Sequence, residues 1–85
     1  MKEIRILGIY ISERNKDAIA IQNLFTKFGC SIKTRLGLHE VVDNYCSASG
    51  LVIIELTGLI EEMDLFESEL KKLNGVEVQK MIFNK

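Results

Sequence analysis

The residues best suited to binding chemistry in this chain are its one histidine, His39, and one of its two cysteines, Cys46. Imidazole nitrogen and thiolate sulfur are good ligands for zinc, nickel or copper, and one such pair per chain becomes four ligands across a symmetric interface. The two residues stand seven positions apart, which matches no established metal motif. The alternative is a histidine that hydrogen-bonds to backbone in a hairpin and a loop thiol without a partner.

Two further polar groups are candidates for holding a small effector. Arg35, with Lys33 beside it, could clamp a carboxylate or phosphate, although such an arginine more often forms an ion pair inside an interface, here with Glu55. The stretch Ser12–Asn15 precedes a predicted helix, whose first amide groups either bind an anion or are capped by these side chains. The candidate effector-binding residues are Ser12, Arg14, Asn15, Arg35 and His39.

No catalytic arrangement accompanies these residues. The chain has no Ser/His/Asp arrangement, no glycine-rich phosphate loop, and no carboxylate pair outside its second helix. The acidic residues of that helix are typical of a solvated face: Glu61, Glu62, Asp64, Glu67 and Glu69. General acid–base chemistry would depend on His39 alone. We predict that the protein is not an enzyme, and the sequence names no cofactor.

Composition excludes several classes of protein from the remaining possibilities. The 85 residues are enough for one domain, residues 1–85, with one modest core. The formal net charge of −1 argues against direct binding to nucleic acid, which needs a basic excess to neutralise phosphates. The longest apolar run, Leu51–Ile54, is far shorter than the roughly 20 residues of a membrane helix, and the start of the chain does not resemble a secretory signal. Two cysteines make no disulfide framework, so we predict a cytoplasmic protein.

The order of apolar patterns predicts strand, helix, strand, strand, helix, strand. Alternation predicts strands over about 3–11, 31–39, 51–57 and 76–83. The first and third are apolar on both faces and therefore belong in the middle of the sheet. The prediction is an α+β, ferredoxin-like βαββαβ fold with a four-stranded antiparallel sheet of order 4-1-3-2 and both helices on one face.

Local signals refine this outline. The first helix has an apolar face that includes Ile21, Phe25 and Phe28, and Gly29 is placed to end it in the left-handed conformation. In the second strand, Ile32, Thr34, Leu36 and Leu38 are expected on one face, and Lys33, Arg35, Gly37 and His39 on the other. Residues 40–49 are expected to form a long loop with Asp43 and Asn44 at its turn, and Asn74-Gly75 to end the second helix.

Two helices cover only one face of such a sheet, and the other face keeps apolar side chains from the central strands. A monomer rarely leaves such a patch in water. We therefore predict a homo-oligomer, a dimer or tetramer, that assembles through the helix-free face, with Arg35 and Glu55 near its middle and His39 on the same side.

Three segments together resemble the small bacterial family of iron-only hydrogenase system regulators, which are ACT-like and close in fold to the C-terminal domain of the nickel-responsive repressor. The segments are Ile32–His39, Ser49–Leu56 and Leu73–Met81, and the resemblance spans essentially the whole chain. It implies a cytoplasmic regulatory domain that pairs through its sheet, takes part in transcription regulation without a DNA-binding element of its own, and has an effector pocket near subunit junctions.

Two departures from related proteins bear on the ligand. The nickel-responsive repressor uses several histidines and a cysteine, whereas this chain offers only His39 and Cys46. Amino-acid-binding ACT domains place a glycine after the first strand, where this chain has Ser12–Asn15. Two function classes thus stay open: a ligand-sensing regulatory domain, or a structural and protein-interaction module that binds no small molecule. A metal sensor that uses His39 and Cys46 is a variant of the first.

Overall fold

A computed structural model describes residues 2–12, 18–42 and 45–85; for residues 18, 38–42 and 45–49 it describes the backbone alone. The chain forms four strands, two α-helices and one 3₁₀ turn. In chain order these are β1 (Glu3–Ile11), α1 (Ala18–Lys27), the 3₁₀ turn (Gly29–Ser31), β2 (Ile32–Val42), β3 (Tyr45–Leu56), α2 (Ile60–Lys71) and β4 (Val76–Asn84). The element order matches the prediction.

The four strands form one antiparallel sheet in the order β2-β3-β1-β4, which is the predicted order 4-1-3-2 viewed from its other edge. Side chains from one face of the central strands are fully buried, because both helices pack on that face. The buried core joins β1 and β3 to α1 and α2: Leu7, Ile9, Ile54, Leu56, Ile21, Phe25, Phe28, Met63, Phe66 and Leu70. The predicted ferredoxin-like fold is confirmed.

Three aromatic rings fix how the helices sit on the sheet. Phe66 of α2 is completely buried, and its ring centroid lies 6.1 Å from that of Phe25 and 5.2 Å from that of Phe28. Both pairs are tilted, an arrangement that aromatic quadrupoles favour. The apolar face of α1 therefore packs against that of α2 through these aromatic rings, and the contact helps to cover one face of the sheet.

The expectation of a long loop over residues 40–49 is wrong. Strand β2 continues to Val42, and β3 begins at Tyr45, with Val41 paired to Cys46 and Val42 to Tyr45. Valine and tyrosine favour extended backbone, and here that preference outweighs the polar residues around them. The predicted turn at residues 43 and 44 lies outside the described residues.

A bulge in β2 overturns the predicted faces of that strand. Ile32 pairs with Leu56 and Thr34 with the next residue, Glu55, so Lys33 is an extra residue in the ladder. One extra residue reverses which side chains point to each face. Ile32 consequently packs against the core, whereas Leu36 is 53% exposed on the opposite face.

The glycine that adopts the left-handed conformation is not the predicted Gly29. Gly29 instead begins the 3₁₀ turn that leads into β2. Among the described residues, positive φ values occur at Gly58, before α2, and at Gly75, with φ angles of 94° and 73°. Gly75 closes the connection from α2 to β4, as the Asn74-Gly75 pair predicts, because glycine takes this conformation without steric cost.

Candidate functional site

The helix-free face of the sheet carries most of the exposed large apolar side chains of the four strands. Strand register places side chains there in rows that cross the sheet. One row consists of Met81, Ile6, Glu55 and Thr34, the next of Gln79, Gly8, Ile53 and Leu36, and a third begins with Glu77, Tyr10 and Leu51. Phe83 and Ile4 stand beyond the first row. The face is therefore mostly apolar, with polar side chains toward two of its corners.

Large apolar side chains on this face are open to solvent. Leu36, Met81 and Phe83 are each more than half exposed, and Tyr10, Leu51 and Ile53 are each more than a third exposed. On the opposite face of the same central strands, Leu7 and Ile9 are completely buried. An exposed apolar surface of this kind on a folded domain is typical of an interaction site.

Two shallow depressions open at one end of this face and share Tyr10 and Glu77. One, of about 180 Å³, is also lined by Gly8, Leu51 and Gln79. The other, of about 150 Å³, runs from Tyr10 and Glu77 to the end of β1, where Ser12, Gly75 and Val76 complete its wall. The Glu77 carboxylate accepts a hydrogen bond from the Gln79 amide at 2.8 Å. Together they offer an aromatic ring, a carboxylate and backbone carbonyls.

Ser12 is the described member of the predicted effector group at the end of β1; Arg14 and Asn15 lie outside the described residues. Its backbone N–H donates to the Gly75 carbonyl at 2.8 Å, and its hydroxyl donates to the same oxygen at 3.2 Å. Ser12 thus ties the end of β1 to the turn before β4. It lines the smaller depression, so the structure brings it to the wall of a candidate pocket.

Arg35 does not lie on the helix-free face, and the expected pairing with Glu55 is wrong. It is opposite Ile54 in the register, and its guanidinium carbon lies 4.4 Å from the centroid of the buried Phe25 ring of α1. Glu55 instead contacts Lys33, at 3.6 Å, and the Thr34 hydroxyl, at 3.4 Å. The cause is the bulge at Lys33, which reverses the faces of the residues that follow it.

The backbone register places the two predicted metal ligands on opposite arms of the β2–β3 hairpin. His39 is paired with Gly50, and Cys46 with Val41, so Cys46 lies four positions along β3 from the partner of His39. At about 3.3 Å per residue, this is roughly 13 Å along the hairpin. A metal bound by both residue types would therefore need them from different copies. Among the described residues, no group of three or more potential metal ligands occurs.

The sequence reasoning missed a charged cluster beneath the helices. Arg5 is 3% exposed on the helix-covered face of β1. Its Nε donates to Glu3 at 2.6 Å, and its Nη1 donates to Asp64 at 2.7 Å and to Glu67 at 3.3 Å. Burial would lower the pKa of Arg5, but the hydrogen bonds and charges of Glu3 and Asp64 outweigh it and raise that pKa, so the guanidinium stays charged.

Glu67 is the buried carboxylate of this cluster, and it corrects the expectation that the acidic residues of α2 form one solvated face. It is 6% exposed, whereas Asp64 on the same helix is exposed. Lys71 and Lys80 donate to its carboxylate at 2.9 Å and 3.3 Å. Burial would raise the pKa of Glu67, but hydrogen bonds and charge from both lysines lower it below its ordinary value.

A signal for this cluster is present in the sequence. Arg5 interrupts an apolar strand at a position that shares its face with Leu7 and Ile9, and a buried cation requires carboxylate partners. Asp64 and Glu67, three residues apart on α2, lie on one helix face and supply them.

Comparisons with known structures agree on the fold. An uncharacterized protein from Thermotoga maritima superposes with a TM-score of 0.81 over 99% of this chain and 100% of its own, at 20% sequence identity. A nitrogen regulatory PII-like protein from Thiomonas intermedia, bound to ADP, AMP and bicarbonate, gives a TM-score of 0.57 at 12% identity over 98% of this chain and 94% of its own. These likenesses show the fold alone.

A de novo designed protein also matches, with a TM-score of 0.57 at 13% identity over 100% of this chain and 99% of its own. No protein-family model matches the chain, and no curated protein matches it significantly. Helices α1 and α2, with 10 and 12 residues, are too short to cross a membrane. These comparisons thus agree with the sheet of four strands and two helices described above.

Proposed function

We propose that this chain is a small cytoplasmic regulatory module that self-associates through the helix-free face of its sheet and acts in an iron-only hydrogenase system. The observation that carries the proposal is the exposed apolar surface of that face, which includes Leu36, Ile53, Met81 and Phe83. The hydrogenase system comes from the sequence resemblance of Ile32–His39 and the two later segments, and the PII-like fold supports the regulatory role.

The module acts without a DNA-reading element of its own. The net charge of −1 provides no basic excess for phosphates, and Arg5, Lys71 and Lys80 pair with carboxylates. Regulation therefore passes through a protein partner or a small effector. We expect the effector site to include Ser12, which lines the depression beside Tyr10 and Glu77. Arg14 and Asn15 stay predicted members of that site and lie outside the described residues.

A second candidate is an assembly module that binds no small molecule. It is favoured by the size of the two depressions, about 150 and 180 Å³. Typical ligand pockets enclose about 300–1,000 Å³. If the second candidate is right, the apolar face is the whole functional surface, and regulation consists of assembly with a protein.

One measurement tests self-association, and a second separates the effector-binding module from the assembly module. Light scattering at micromolar concentration should give a dimer or tetramer; a 9.7 kDa species would overturn self-association. A thermal-shift screen of metals, amino acids and nucleotides then tests for an effector. A ligand present at 100 times its dissociation constant stabilises the protein by about 2.7 kcal/mol. A shift that His39→Ala plus Cys46→Ala abolishes would assign the ligand to those residues, whereas no shift with any compound would favour the assembly module.

A further inference from the structure

The exposed apolar side chains of the helix-free face form a diagonal stripe. Phe83 and Met81 of the edge strand β4 lie at one end, and Leu36 and Leu51 of β2 and β3 lie at the other. Neighbouring strands are about 4.8 Å apart and residues on one face repeat about every 6.7 Å, so the stripe crosses the strands at roughly 45°. The stripe thus has a direction that a partner surface must match.

Two polar corners flank this stripe on opposite sides. One contains Lys33, whose ammonium is 3.6 Å from the Glu55 carboxylate and whose side chain is 59% exposed. The other contains Glu77, an exposed carboxylate that accepts a hydrogen bond from the Gln79 amide. The second corner thus presents an anion, whereas the first presents the Lys33 ammonium together with its Glu55 carboxylate.

We propose that a second copy of this chain docks on the face with the two-fold axis parallel to the stripe, so that Lys33 of each copy meets Glu77 of the other. When a two-fold axis lies in the plane between two stacked sheets, the strands of one sheet cross those of the other at twice the angle between the strands and the axis. Here the axis makes an angle of roughly 45° with the strands, so the strands of the two copies cross at about 90°. Orthogonal crossing is one of the two ways in which sheets pack. The inference rests on the proposed self-association and adds its geometry and contacts.

Two directions of the two-fold axis, parallel and perpendicular to the stripe, both lay the stripe of one copy on the stripe of the other. The charges of the polar corners favour the parallel axis. An axis perpendicular to the stripe brings each polar corner against the same corner of the partner, so that Glu77 faces Glu77. Opposed like charges destabilise an interface. The parallel axis instead brings the Lys33–Glu55 corner against the Glu77 corner, so that an ammonium faces Glu77 of the partner on both sides of the stripe.

The receiving surface has room for the lysine. The depression of about 180 Å³ beside Glu77 is bounded by the Tyr10 ring and by Gly8, which has no side chain to fill it. An ammonium group there lies beside the Glu77 carboxylate and the Tyr10 side chain, and the carboxylate attracts a cation. The depression is thus the binding site for the Lys33 side chain of the second copy.

Cysteine cross-linking between copies tests this geometry. In a background of Cys30→Ser and Cys46→Ser, one chain carries Lys33→Cys and another Glu77→Cys; the two are expressed separately and together, then treated with a short bis-maleimide. We expect a covalent dimer from the co-expressed pair and at least a tenfold lower yield from either variant alone. Light scattering of the background protein reports the oligomeric state in parallel.

Each other outcome overturns a defined step. A covalent dimer of Glu77→Cys with itself would establish the perpendicular axis and refute the parallel one. A dimeric background protein with no cross-link in any sample would refute the contact between Lys33 and Glu77 and leave the proposed function standing. A monomeric background protein would refute both.

Discussion

The guanidinium of Arg5 and the carboxylate of Glu67, 62 positions apart in the chain, meet at 3.3 Å between β1 and α2. Both side chains are buried, and no buried polar side-chain atom among the described residues lacks a hydrogen-bond partner. Lys71 of α2 and Lys80 of β4 complete the shell of Glu67. The Glu67 carboxylate thus connects α2 to β1 and β4, the two strands beneath it, and stabilises the helix-covered face of the sheet.

Replacing Glu67 with glutamine should lower the free energy of unfolding at pH 7 by about 1–2 kcal/mol, because charged hydrogen bonds to three cations become weaker ones in a buried site. Urea denaturation measures this loss. The matched control is Glu69→Gln on the same helix, whose partner is the exposed Lys72 at 3.3 Å. Such surface pairs contribute little, so the control should change stability by less than about 0.5 kcal/mol. Equal losses in the two variants would contradict the structural role of Glu67.

Stability should also depend on pH through Glu67. Its pKa is lower in the folded protein than the ordinary value of 4.5, so the folded state binds the proton less readily than the unfolded state. The stabilisation from Glu67 is therefore complete above the unfolded pKa and is lost as pH falls through the folded pKa. The difference in unfolding free energy between the native protein and Glu67→Gln should be constant from pH 8 to 6 and shrink below pH 4.5. A difference that grows in acid would refute this.

Replacing Arg35 with alanine should destabilise the fold without changing assembly. The guanidinium lies 4.4 Å from the Phe25 ring centroid on the helix-covered face, so its loss should cost about 0.5–1 kcal/mol. Arg35→Met retains an apolar stem without the charge and should recover part of that loss. Sedimentation velocity should give the same dimer dissociation constant for all three proteins. A tenfold weaker dimer of the alanine variant would place Arg35 back in the interface.

The general architecture was accessible from sequence because it depends on which strands are apolar on both faces. The two segments that are apolar on both faces are Ile4–Ile11 and Leu51–Leu56. Only the two central strands of a four-stranded sheet need that pattern. The helix-free face followed from the same pattern, since two helices leave one face of the sheet uncovered. These features depend on the average composition of segments, which a one-residue error does not change.

Features that depend on a single register position were not accessible. The bulge at Lys33 has no glycine or proline to mark it, and it reverses the faces of the residues that follow. Arg35 was therefore expected on the wrong face. The sequence signals that Arg5 needs a carboxylate partner, but its contact with Glu67 appears only after β1 and α2 are placed.

The assembly itself has a direct test at the centre of the helix-free face. Ile53 of β3 is 36% exposed there, between Gly8 and Leu36. Ile53→Asp buries a carboxylate in the middle of the proposed interface, where it has no cation to pair with among the neighbouring side chains of its row. Burying an unpaired charge is costly enough to abolish association. We expect light scattering to give a monomer at concentrations where the native protein is a dimer.

The matched control is Ile19→Asp on α1, the same chemical change at a side chain that is 73% exposed on the helix side of the molecule. It should leave the dimer intact, because α1 lies on the other side of the sheet. Far-ultraviolet circular dichroism should show both variants folded, since neither isoleucine belongs to the buried core. If Ile53→Asp remains a dimer, the helix-free face is not the interface. If Ile19→Asp alone becomes a monomer, assembly uses the helical side.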